Sequence, residues 1–153
     1  ISADGRYVAF DSTASNLVPG DANGRFDVFV HDRVTGTTTR VSVGSDGTQG
    51  NGDSLRPFIS ADGRYVAFDS TASNLVAGDT NGVQDIFVHD RVTGTTTHVS
   101  VASDGTQGND DSVGPSLSGD GRFVAFLSWA SNLVPGDTNG AVDVFVAEWR
   151  GPV

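Results

Sequence analysis

Three stretches of the chain carry oxygen donors at a spacing that could hold a metal ion. They are Asp21-Ala22-Asn23-Gly24-Arg25-Phe26-Asp27, Asp79-Thr80-Asn81-Gly82-Val83-Gln84-Asp85 and Asp137-Thr138-Asn139-Gly140-Ala141-Val142-Asp143. In each, Asp, Asn and Asp stand at relative positions 1, 3 and 7, with Gly at 4, while the two residues before the last Asp vary freely. Alternating oxygen donors around a glycine bend suit a hard cation such as calcium, which takes six to eight oxygens. The metal candidates are therefore Asp21, Asn23, Asp27, Asp79, Asn81, Asp85, Asp137, Asn139 and Asp143. No glutamate completes the set, so backbone carbonyls and water would have to supply the rest. The competing reading is structural, with Asp and Asn bonding to the loop backbone.

Other reactive side chains offer less. Asp46-Gly47 with Asp53-Ser54, repeated at Asp104-Gly105 and Asp111-Ser112, lie in stretches rich in turn residues and are expected to accept backbone N–H groups there. His31 and His89 are repeat-equivalent, whereas His98 stands where the first repeat has Arg40. Equivalent residues of neighbouring repeats do not converge, so packed histidines are expected rather than ligands. No Gly-x-Ser-x-Gly elbow and no phosphate-binding glycine loop occurs. The expectation is a protein with no catalytic residues and no cofactor besides calcium.

Charge narrows the partners. The formal net charge is −10, all nine basic residues are arginine, and the pI is about 4.3. Nucleic acid and anionic membrane both call for clustered positive charge, so neither is an expected partner. No apolar run is long enough for a membrane-spanning helix. With no cysteine there is no thiol chemistry. The chain also lacks methionine and begins at Ile1, which reads as a processed, excised or designed segment.

What must position these loops is a repeat. Ile1-Ser2-Ala3-Asp4-Gly5-Arg6-Tyr7-Val8-Ala9-Phe10 returns unchanged as Ile59 to Phe68, and with three substitutions (Leu117, Gly119 and Phe123) as Leu117 to Phe126. The period is 58 residues, and the first two copies differ at 11 positions. The repeats are 1–58, 59–116 and a shortened third, 117–153. Each carries an Asp-Gly pair, a two-residue hairpin signal. An apolar run (Tyr7 to Phe10), a second run (Asp27 to Asp32), a Thr-rich alternation (Thr37 to Val43) and Arg56 to Ser60 all read as strands. Four antiparallel strands per period, apolar on both faces, predict an all-β fold, a β-propeller of about two and a half blades.

The same residues carry a resemblance. Ser-Ala-Asp-Gly-Arg-Tyr-Val-Ala-Phe, then Asp-Val/Ile-Phe-Val-His-Asp, then the Thr-Gly-Thr-Thr-Thr-Arg/His-Val-Ser segment resemble the PD40 (WD40-like) repeats of TolB-type propellers. Ala3, Ala61 and Gly119 stand where that family usually has Pro, and the connection between the second and third strands is longer. The resemblance implies that Ile1-Ser2, Pro57 to Ser60 and Pro115 to Ser118 lie innermost and the Thr-rich strands outermost. By that order the third repeat ends without its outer strand, with Trp149-Arg150-Gly151-Pro152 in place of the Arg33-Val34-Thr35-Gly36 turn. It also implies an extracytoplasmic or secreted location, in a bacterial periplasm or at a cell surface.

Propellers close with about four to eight blades. Fewer leave apolar blade faces open, so the chain is expected to form a homo-oligomer, most simply a dimer giving a six-bladed ring. The expected function is a non-enzymatic scaffold or interaction module, stabilised by calcium, with a protein or glycan ligand. Two alternatives stand beside it. One is an accessory propeller from a larger, peptidase-like enzyme, and the other is a multivalent lectin. Trp129 and Trp149 replace Thr and Arg in the third repeat and fit capping or subunit contact better than a sugar platform.

Overall fold

A computed structural model describes residues 1–149, and the expected replacement of the third turn by Arg150 to Pro152 lies outside the described residues. Among the described residues every regular element is a strand. The first blade is β1 (Tyr7–Ser12), β2 (Asp27–Asp32) and β3 (Thr37–Arg40). The middle blade is β4 (Ser54–Ile59), β5 (Tyr65–Ser70), β6 (Asp85–Asp90) and β7 (Thr95–His98). The third is β8 (Ser112–Leu117), β9 (Phe123–Ser128) and β10 (Asp143–Glu148). Neighbours in sequence pair antiparallel, in the orders β1-β2-β3, β4-β5-β6-β7 and β8-β9-β10. The Thr-rich strands are outermost, as the resemblance implies.

Two details differ from the sequence reading. Ile1 and Ser2 form no strand, so the first blade has three strands, and the 58-residue period cuts β4 at its last residue. The Asp-Gly hairpin is not a two-residue turn either. Ser60 N–H donates to Tyr65 O, enclosing four residues, and Gly63 N–H returns to Ser60 O. Only Gly63 has a positive φ (74°), so the aspartate stays in ordinary backbone space. Its carboxylate instead accepts Ser60 Oγ at 2.5 Å and Arg64 N–H at 2.9 Å, tying the loop from within.

Burial on both faces explains the continuous apolar runs. Val28, Val30 and Val41 of the first blade pack on Val66, Phe68, Phe87 and Leu75 of the middle one. Ala67, Ile86, Val88 and Val99 repeat that packing on Val124, Phe126 and Leu133 of the third. Each blade thus turns one face toward the blade that follows it in the chain. On the third blade the same face is open, with Val144 and Val146 71% and 67% exposed against 0% for Ile86 and Val88.

Candidate functional site

The metal-candidate loops lead into β2, β6 and β10, and the last aspartate of each begins that strand. Asp27 is buried, and hydrogen-bond donors converge on it. Its Oδ1 accepts Ser42 Oγ at 2.6 Å, and its Oδ2 accepts Asn23 Nδ2 and Gln49 Nε2, both at 3.0 Å. Asn23 turns its amide nitrogen to Asp27 and its oxygen to Arg25 N–H. Arg40 brings Nη1 to 3.5 Å from Asp21 and 3.9 Å from Asp27. Charge in this loop is balanced by a guanidinium of the chain itself.

The second loop uses other donors. Asn81 bonds to Asp85 at 2.8 Å, Ser100 Oγ donates to Asp85 at 2.7 Å, and His98 Nε2 lies 2.9 Å from Asp85 Oδ1. Asp79 has its carboxyl pushed up by burial and by the charge of Asp85. In the third loop Asn139 still bonds to Asp143 at 2.9 Å, but Ser42, Gln49 and Arg40 have no counterpart among the described residues. The structure therefore gathers the sequence candidates loop by loop, with the nitrogen of each Asn toward its Asp. The set fits a divalent cation poorly where Arg40 or His98 already faces the carboxylates. No group of three or more acidic or histidine ligands converges among the described residues. Ser42, Gln49 and Arg40 are the members that sequence reasoning missed. The one available signal was that Arg40 and His98, equivalent by repeat, are both basic.

The other acidic set caps backbone. Asp46 accepts Thr48 N–H at 2.8 Å, and Asp53 accepts Phe26 N–H at 3.1 Å. Histidines pack as expected, His31 and His89 each placing Nδ1 2.9 Å from a threonine hydroxyl.

The blade joints form the second constellation. A Cβ on Gly63 would lie 2.2 Å from Tyr7 Cδ2, so the Tyr7 ring rests directly on that glycine. Arg91 lies over the same ring, 4.3 Å from its centroid, and donates to Gly63 O. At the next joint Tyr65 rests on Gly121, and Trp149 replaces the arginine, its ring 4.8 Å away. Backbone bonds link the turns in series, Ala3 N–H to Ala61 O at 2.9 Å and Ala61 N–H to Gly119 O at 3.0 Å. Proline, usual here in the resembled family, could not make them. Asp11 and Asp69 also reach forward, accepting Arg56 N–H and Gly114 N–H from bulges of the next inner strand. Leu127 takes that position in the third blade and is exposed.

Likeness to known structures follows from this arrangement. TolB from Acinetobacter baumannii superimposes with a TM-score of 0.56 at 19% identity, over 98% of this chain and 29% of that one. A protein described as TolB from Agrobacterium tumefaciens gives 0.55 at 20% identity, over 96% and 49%. The fold is that of a TolB-type β-propeller, in part. A prolyl endopeptidase matches at 0.54 and 19% identity, over 97% of this chain and 19% of that one. The chain thus spans less than half the length of each of these TolB structures. No family model matches the sequence, and no curated protein does.

Proposed function

We propose that the chain is a non-enzymatic propeller module, an extracytoplasmic interaction scaffold that extends its blade stack by docking a second copy head to tail. The observation that carries this is a pair of half-made joints. Phe123 stands where Tyr7 and Tyr65 stand, 40% exposed, with no glycine turn beneath it among the described residues. Gly5 has no aromatic ring on it, although Arg33 already donates to Gly5 O at 2.8 Å as Arg91 does to Gly63 O. Placing Phe123 of one copy on Gly5 and Arg33 of another would repeat the Tyr7 joint, and the turns would add a Gly119 N–H to Ala3 O bond. A dimer closed in this way at both ends would be a ring of six blades.

Light scattering over a dilution series tests it. Two chains of 15.8 kDa are expected per particle. Phe123→Asp, at a surface position, is expected to weaken association at least about tenfold. A wild-type chain that stays monomeric at every concentration overturns the reading. The prolyl endopeptidase likeness favours one second reading, a propeller segment accompanying a hydrolase domain. Coding sequence for a hydrolase contiguous with this chain would support it.

Calcium belongs to this proposal only at the third loop, where no basic side chain faces Asp137 and Asp143 among the described residues. Calcium stabilisation that EGTA reverses and Asp143→Asn abolishes would place it there, and identical melting in calcium and EGTA would remove it.

A further inference from the structure

A groove of about 570 Å³ runs along the joint between the first and middle blades. One wall is the turn after β3, with Gly44, Ser45 and Asp46, and the other is the connection between β5 and β6, with Asn74 and Leu75. Thr96 of β7 closes one side. Both blades that form the groove lie within the described residues, so its walls are complete in a single chain.

Hydrogen bonds between the blades fix these walls. Asn74 Oδ1 accepts Asn51 N–H and Asn74 Nδ2 donates to Gln49 O, both at 2.9 Å. Ser73 N–H donates to Asn51 Oδ1 at 2.9 Å, and Thr96 N–H donates to Ser45 Oγ at 3.0 Å. The turn itself is closed by Gly44 N–H to Thr48 O at 2.8 Å and Gly47 N–H to Gly44 O at 2.9 Å. With its amide held on both sides, Asn74 keeps its main chain in one place.

Oxygen atoms gather where the walls meet. A Cβ built on Gly44 would lie 3.0 Å from Asp46 Oδ1, 3.3 Å from Asn74 O and 3.5 Å from Leu75 O. Neither of those consecutive carbonyls accepts a hydrogen bond among the described residues, although main-chain carbonyls in folded proteins nearly always have a partner. Asp46 accepts Thr48 N–H at 2.8 Å, which holds its carboxyl below the ordinary value and keeps it charged at neutral pH. No basic side chain lines the groove, in contrast to the loops in which Arg40 and His98 face the carboxylates.

The next joint supplies an internal comparison. Ser103, Asp104, Asn132 and Leu133 repeat the same walls, but Ala102 stands where the first joint has Gly44. Gly44 does not have a positive φ, so the backbone there does not call for glycine. What glycine changes is space. It leaves open the point around which the three oxygens stand, and the methyl of Ala102 takes up the equivalent point one joint later.

We propose that this groove is a calcium site, with the Asp46 carboxylate and the main-chain oxygens of Asn74 and Leu75 as protein ligands and water completing the shell. Calcium accepts such a mixture of carboxylate, carbonyl and water in an irregular geometry, whereas magnesium demands a near-ideal octahedron and gives up its water reluctantly. A single carboxylate sets the affinity at the weak end, on the order of 1 mM. The site lies between two blades of one chain and needs neither a second copy nor the third loop, so it can fail without either of those readings failing.

The test is a calcium titration of the whole ¹⁵N-labelled chain followed by amide chemical shifts, at constant ionic strength set with potassium chloride. Saturable shifts are expected at Gly44, Ser45, Asp46, Leu75 and Val76, and magnesium should produce them at least about tenfold more weakly. Gly44→Ala, a residue that the fold accepts at position 102, should weaken calcium binding there at least about tenfold. Asp46→Asn, which keeps an oxygen for Thr48 N–H and loses the charge, should do the same. Asp143→Asn should leave the groove's response unchanged. No saturable shift in the wild-type groove overturns the proposal, as does a response that Gly44→Ala or Asp46→Asn leaves intact. Equal responses to calcium and magnesium would mean only counterions gathered by an acidic chain, and a response confined to residues 137–143 would assign calcium to the third loop alone. Either result overturns it as well.

Discussion

His89 and His31 occupy the same place in two copies of one sequence and differ because of what covers them. His31 is half-buried at the end of the stack, while His89 is buried in the middle blade. Burial pushes the His89 ring down from 6.5 to about 4, with Asp90 opposing and Arg91 assisting. The folded chain therefore binds that proton later than the unfolded chain does. The stability contributed by neutral His89 is complete above about pH 6.5 and is lost as pH falls toward 4. Melting temperature should decline through that window, and His89→Gln should flatten the decline there. Lower in pH, Asp90 takes over. Burial raises its carboxyl, but Arg64 and the N–H of Val92 outweigh it and hold the value at about 2. Its contribution is present above the ordinary 3.8 and is lost between there and 2, so acid unfolding should persist in the His89 variant.

At the scale of elements, the hairpin glycines separate local strain from contact between blades. Gly5 and Gly63 have nearly the same φ, 71° and 74°. Alanine at Gly5 meets nothing closer than 3.7 Å and bears only the left-handed backbone, about 1–2 kcal/mol. Alanine at Gly63 must also displace the Tyr7 ring. Gly63→Ala is expected to destabilise more than Gly5→Ala by about 1–3 kcal/mol in denaturant titrations of dilute chain. Equal losses would mean that the ring yields freely. Strands were legible at this scale because Tyr-Val-Ala-Phe and Asp-Val-Phe-Val are buried on both faces, so periodicity, composition and length agreed. The length of the turn is not legible, because an Asp-Gly pair fits several loop lengths. Serine and tyrosine at its ends, with the carboxylate accepting two donors, select the longer one. The bulges at Arg56 and Gly114 left no trace in sequence, since they exist to meet Asp11 and Asp69 of the preceding blade.

For the whole molecule, the 58-residue repeat made the architecture readable, and the same regularity hid the site. Position by position, repetition says that Asp21, Asn23 and Asp27 belong together. It does not say that Arg40 at the end of β3, with Ser42 and Gln49 from the segment after it, completes them many residues later. The third repeat, with Leu127, Trp129 and Trp149, is where the pattern changes, and the structure places two of these at open or partly closed joints. Trp149 fills the arginine's place over Tyr65, and Leu127 removes an acceptor from the open face of its blade. Trp129 is exposed, and nothing in the structure explains its substitution for threonine.

The series of bonds from Ala3 to Ala61 to Gly119 has a sense, since every N–H points to the carbonyl of the blade that follows. A strand of donors and acceptors with this polarity always presents one acceptor end and one donor end, however many copies are joined. Only closure into a circle removes both ends, and closure needs the rotations between blades to sum to a full turn. If they fall short or overshoot, the same contact generates an open helical filament that lengthens with concentration. Solubility would then be governed by the angle between blades, and a change far from any exposed residue could turn a closed particle into a fibre.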